Sequence, residues 1–163
     1  MLIEVKKKFI LVLESLSQKF KSEMKTIKVI LFSIFLSSKI FSQETESEIK
    51  HVLDFQIKCW NESNIDCFME GYWKSDSLMF IGKNGITYGW KNTLENYKVR
   101  YPDKDAMGEL SFEILDMEIL SKTYVTVVGK WSLKRKLGDI GGYFTLVFKS
   151  INNKWVIVRD HTS

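Results

Sequence analysis

From Glu109 to Thr162 the chain is written almost entirely in period two, and this constrains its fold more than any other feature. Leu110, Phe112 and Ile114 point one way, while Glu109, Ser111 and Glu113 point the other. The phase then slips: Leu115, Met117 and Ile119 form the apolar set, with Asp116 and Glu118 opposite. A one-residue slip inside a strand is the signature of a β-bulge, and bulges bend sheets. Three more strands follow, over about 122–135, 141–151 and 154–161, joined by turns at "KLGDIGG" (136–142) and "NNK" (152–154). Four long antiparallel strands, one of them bent, need a cover for their apolar face.

The residues before them supply it. Ile49, Val52, Leu53, Gln56, Ile57 and Trp60 recur at spacings of three and four, which predicts a helix over 44–62. "NESNID" breaks it, and Asn64 is placed to cap a short helix over Ile65–Trp73. Ser77–Ile81 and Ile86–Gly89 read as a hairpin around "GKNG". A third helix over 90–101 presents Trp90, Leu94, Tyr97 and Tyr101 on one face and stops at Pro102. Helices first and strands later make an α+β domain, with the helices on one face of a bent antiparallel sheet.

Charge separates this domain from what precedes it. Residues 1–42 carry eight Lys against three Glu, whereas residues 43–163 carry sixteen Lys and Arg against seventeen Asp and Glu. The domain therefore has no basic surplus to attract nucleic acid. Within the leader, Lys25 and Lys28 precede an apolar run from Val29 to Leu36 and a polar end at Ser37–Ser42. This is the build of a secretory signal peptide over 24–42. The run is shorter than the about 20 apolar residues that span a bilayer, so no membrane association is expected after cleavage. Residues 1–23 do not fit such a peptide, and Met24 makes a better start. The alternative is an amphipathic helix bearing Phe9, Leu13, Leu16 and Phe20. The expected destination is secreted or periplasmic, and the working domain is 43–163.

Export permits disulfides. Cys59 and Cys67 would lie roughly 12 Å apart if helix ran between them, and a turn at Asn61–Asn64 would bring them closer. Two buried reduced thiols is the preferred reading. Metal ligation is not expected, since the domain adds only His51 and His161 and has no Cys-x-x-Cys pair. No cofactor is expected either: there is no nucleotide-binding glycine loop and no serine nucleophile elbow.

Three stretches together resemble a known family: "FMEGYWKSDSLMFIGKNGITYGW" (68–90), "VVGKWSLKRKLGDIGGYFTLVFK" (127–149) and "KWVIVRDHTS" (154–163). Their order and spacing are similar to the SnoaL-like branch of the nuclear transport factor 2-like (cystatin-like) superfamily, across residues 48–163. The resemblance implies a cone of bent sheet around three helices, a pocket inside it, and frequently a homodimer packed through the sheet. It does not imply an activity, because relatives include isomerases, cyclases, dehydratases and binding modules.

On this resemblance Asp76, where the chain enters its first strand, is the candidate general base. It would need desolvation by Tyr72, Trp73 and Tyr88 to raise its pKa; the plainer role, preferred here, is to hold the 74–77 turn. His161 is the candidate acid, base or ligand-holding group, or a structural hydrogen bond at the cone's rim. By strict alternation it shares a face with Trp155, Ile157 and Arg159, while Val156, Val158 and Asp160 face the other way. Asp160 and His161 then form no dyad unless the strand end is bulged. Trp60, Tyr72, Trp73, Tyr88, Tyr97, Trp131, Arg135 and Thr145 are the candidate ligand-binding residues. Of these, Arg135 suits an anionic ligand or a solvated edge, and Tyr97 suits the core.

Three functions fit. The first is binding of a small, largely apolar ligand in the cone. The second is an isomerase, cyclase or dehydratase using Asp76, with Tyr72, Tyr88 or His161 as hydrogen-bond donor. The third is an interaction module using the outer sheet face.

Overall fold

A computed structural model describes residues 2–163, with many side chains between 2 and 38 outside the described set. Met1, and with it the reading of a misplaced start, lies outside the described residues. The chain divides into two compact units, Met1–Gln43 and Glu44–Ser163. In the first, the backbone is helical from Leu2 onward. The apolar run of the signal-peptide reading falls mostly on side chains outside the described set. No helix among the described residues is long and apolar enough to cross a membrane.

The second unit holds the end of helix α1 (Leu2–Asn61), α2 (Ile65–Phe68), strands β1 (Met79–Gly82) and β2 (Gly85–Tyr88), α3 (Trp90–Arg100) and α4 (Lys104–Met107). Four long strands follow: β3 (Glu109–Ser121), β4 (Tyr124–Lys134), β5 (Ile140–Ile151) and β6 (Lys154–Thr162). The predicted second helix is shorter than expected, since a 3-10 turn over Met69–Gly71 replaces its C-terminal half. The short α4 has no counterpart in the sequence pattern: Asp103 caps it by accepting from the Ala106 amide at 2.9 Å.

The six strands lie in the order β2-β1-β6-β5-β4-β3. All neighbours are antiparallel except β1 and β6, which run parallel, with Phe80 opposite Asp160. The sheet is therefore mixed rather than purely antiparallel, because the hairpin joins it along its last strand. Ile49, Leu53 and Trp60 of α1 and Phe68 of α2 pack over Val125, Val127, Leu146, Phe148 and Ile157 in one core.

The sheet bends where the phase slip predicts. Ile114 pairs with Gly129 and Asp116 with Val128, leaving Leu115 as the extra residue of a bulge, 47% exposed. Gly129 serves the same bend. A Cβ there would collide with the Phe144 ring and the Glu113 carbonyl, so glycine lets Phe144 lie flat across the strand.

The two cysteines are joined as a disulfide with Cα atoms 5.4 Å apart, in place of the reduced pair preferred from sequence. The cause is local. Helix α1 ends at Asn61, Ser63 takes a left-handed φ of 58°, and the Asn64 amide bonds back to Cys59 O at 2.9 Å. Asn64 Oδ1 then accepts from the Cys67 amide at 2.9 Å and starts α2. The chain reverses within one turn, and the thiols meet.

Candidate active site

Between the helices and the concave face of the sheet lies a cavity of about 130 Å³. Trp60, Phe68, Tyr72, Tyr97 and Tyr101 wall its helical side, joined by Phe80 from strand β1. Their rings pack largely edge to face, with Trp60 to Phe68 at 5.0 Å, Phe68 to Tyr97 at 5.3 Å and Phe80 to Tyr97 at 5.7 Å between centroids. Phe112, Trp131, Phe144 and Leu146 wall the sheet side.

Into this apolar space the sheet sends one carboxylate. Asp160 is 5% exposed and lines the cavity. The Tyr72 hydroxyl donates to its Oδ2 at 2.7 Å, and the Tyr72 and Tyr97 hydroxyls are 3.5 Å apart. Its other oxygen, Oδ1, is buried without a hydrogen-bond partner among the described residues. Burial, opposed by the Tyr72 hydrogen bond, raises the Asp160 carboxyl from 3.8 to about 7. Tyr72 and Tyr97 are held well above the ordinary phenol range by burial and by the nearby Asp160 charge. They stay protonated as donors near neutrality, while Asp160 exchanges a proton there. A carboxyl poised at about 7 in an aromatic pocket is suited to general acid–base work.

A second bulge puts Asp160 inside. In β6, Ile157 pairs with Phe148 and Arg159 with Val147, so Val158 is an extra residue without its own partner on β5. Beyond it the phase is reversed: Asp160 and Thr162 join the inward face of Trp155 and Ile157, and His161 points outward. Tyr72 is brought to Asp160 by the same strand, because it bridges to Ile157 and the next amide, Trp73 N–H, bonds to Ile157 O at 2.9 Å.

An NTF2-like protein of unknown function from Shewanella oneidensis MR-1 has a solved structure that is 40% identical in sequence, with a TM-score of 0.71. The match covers 73% of this chain and 98% of that one. The chain belongs to the nuclear transport factor 2-like family. Two further solved structures share the fold. An NTF2-like superfamily protein from Salmonella enterica serovar Typhimurium is 16% identical over 75% of this chain and 92% of its own, with a TM-score of 0.59. A ketosteroid isomerase-like protein from Erwinia carotovora atroseptica is 15% identical over 72% and 93%, with a TM-score of 0.56. No family model matches the chain, and no curated protein does.

Within this NTF2-like domain the predicted site residues separate. Trp60, Tyr72, Tyr97 and Trp131 line the cavity together. Asp76 does not: it is exposed, outside the cavity, in the turn between Ser75 and Leu78. The chain reverses there before β1 begins at Met79, too early to aim a side chain into the cone. His161 is exposed on the outer face beside Thr145, its partner on β5, because the Val158 bulge breaks the alternation that groups it with Trp155 and Ile157. Tyr88 is 56% exposed on the edge strand β2. Trp73 is half-buried outside the cavity. Arg135 is spent on the β4–β5 turn, donating to Gly138 O at 2.9 Å and Ala106 O at 3.4 Å. Among the described residues no group of three or more His, Cys, Asp or Glu is placed to hold a metal ion.

Proposed function

We propose that this chain is an exported NTF2-like domain that binds a small, largely apolar molecule in its cone. One observation carries the reading: Asp160 is buried in an aromatic cavity with Tyr72 on one oxygen and, among the described residues, no partner on the other. Burying an unpaired carboxylate oxygen costs free energy. A ligand that supplies a hydrogen bond to Oδ1 offsets that cost. Two features support export: the apolar run behind Lys25 and Lys28, and the Cys59–Cys67 disulfide, which persists in oxidising compartments. A homodimer packed through the outer sheet face is part of the same proposal, supported by exposed Tyr143 and Tyr124 on that face.

Native mass spectrometry of the full chain, produced with export, tests the binding. The expected result is a non-covalent adduct of small-molecule mass. A bare chain whose tryptophan fluorescence responds to no ring-sized apolar compound would overturn it.

The Asp160 carboxyl at about 7 favours a second reading, an enzyme of the isomerase or dehydratase kind. Asp160 Oδ1 takes a proton from carbon next to a ligand carbonyl, the electron pair moves onto the carbonyl oxygen, and the Tyr97 hydroxyl stabilises that oxyanion. Deuterium exchange into single-ring ketones, followed by NMR, checks this. Exchange should rise with pH through about 7 and vanish in Asp160→Asn.

A further inference from the structure

Resting on the binding reading above, the polar groups around the cavity define what kind of molecule it takes. Its volume of about 130 Å³ is near the roughly 150 Å³ that accepts one benzene ring. Two polar atoms on its wall are buried and unpartnered among the described residues, Asp160 Oδ1 and Trp131 Nε1. They sit at separate ends. Asp160 lies opposite Leu146 on β5 and Trp131 opposite Gly142, four residues along the strand, or roughly 13 Å. The indole nitrogen lies over Gly142, where a side chain would crowd it.

A third group lines the same cavity. Arg100, the last residue of α3, lines the cavity yet stays exposed. Its guanidinium is 5.7 Å from the Tyr101 ring centroid, and it has no ion pair among the described residues. One end of the cavity thus asks for a hydrogen-bond donor and the other holds an indole N–H, while Arg100 adds a cation to the lining.

We propose that the ligand is a single-ring organic anion. Its ring lies between the aromatic walls, a hydroxyl donates to Asp160 Oδ1, and a carboxylate meets Arg100 and the Trp131 N–H. A guanidinium and a buried carboxylate select for charge and for a donor, whereas the ring contacts select only for shape.

Fluorescence titration of the full chain at pH 8 tests this, since Trp60 and Trp131 line the cavity. The probes are 3-(4-hydroxyphenyl)propionate, its methyl ester and 3-phenylpropionate. The hydroxy acid should bind about tenfold more tightly than either of the others. Arg100→Gln, an exposed position, should erase the difference between acid and ester alone. Asp160→Asn should erase the difference made by the hydroxyl alone. If ester and acid bind equally well to the wild type, the anion class is wrong and cone binding stands. If none of the three saturates, both fall.

Discussion

Of the one-residue bulges that interrupt the sheet, those at Leu115 and Val158 do different work. The bulge at Leu115 on β3 lies beside Gly129 and curves the backbone, so that the sheet wraps around the helices. The bulge at Val158 on β6 exchanges which of two neighbours faces the cone, bringing in Asp160 and sending His161 out. The first sets the shape of a cavity and the second its chemistry. A bulge therefore acts in two ways, through the bend it imposes and through the parity of every side chain beyond it.

The largest expected effect belongs to the second bulge. Asp160 binds its proton more tightly folded, at about 7, than unfolded, at 3.8. Between those values the native state holds more protons than the unfolded chain, so stability falls as pH rises from about 4 through 7. The loss approaches about 4 kcal/mol at most, because each pH unit between the two values removes roughly 1.4 kcal/mol. Urea unfolding across pH 4–8 should show this slope, and Asp160→Asn should flatten it. A slope unchanged in the variant would mean that the carboxylate is not what the fold strains against.

The first bulge is tested through its partner. Gly129→Val places a branched side chain against the Phe144 ring and the Glu113 carbonyl. It should cost about 3 kcal/mol by overpacking, with no change in the pH dependence. If the variant instead loses the pH slope at constant stability, the two bulges are not separable.

Sequence patterning exposed one bulge and hid the other for a physical reason. Around Leu115 the outward positions are charged, with Glu113, Asp116 and Glu118 fixing the phase on both sides of the slip. Around Val158 nothing does. Trp155–Val158 are all apolar and Arg159–Thr162 all polar, so either parity fits, and unbroken alternation gives the wrong one. Most of the fold was legible because helical and strand periods are local signals written within each element; the parallel β1–β6 pairing was not, because it leaves no trace in either strand alone. The aromatic wall was legible in Trp60, Tyr72, Tyr97 and Trp131, which share faces with core residues. Asp160 was not, because its environment is assembled by Tyr72, 88 residues away. A signal was present in Ile157 and Val158, adjacent apolar residues that strict alternation does not bury together.

Tyr72 sharpens the comparison at a smaller scale. Tyr72→Phe removes the one hydrogen bond on Asp160 and should cost about 1–2 kcal/mol at pH 8, where the carboxylate is charged. The same hydroxyl lowers the Asp160 pKa. Its loss should therefore move the pH-dependent step above 7, which NMR titration of the labelled carboxyl would show. A step that moves downward would contradict the assigned role.

The smallest effect is expected next door. His161→Ala and Asp76→Asn change exposed side chains outside the cavity, and surface substitutions of this kind stay within about 0.5 kcal/mol. Ligand affinity should be unchanged in both. The value of these variants lies in the contrast with Asp160→Asn, since His161 is one peptide bond away on the same strand. If His161→Ala weakens binding while Asp160→Asn does not, β6 runs through without its bulge. The parity of the strand would then be the one that unbroken alternation predicts, and the acid–base group of the cone would be an imidazole rather than a carboxyl.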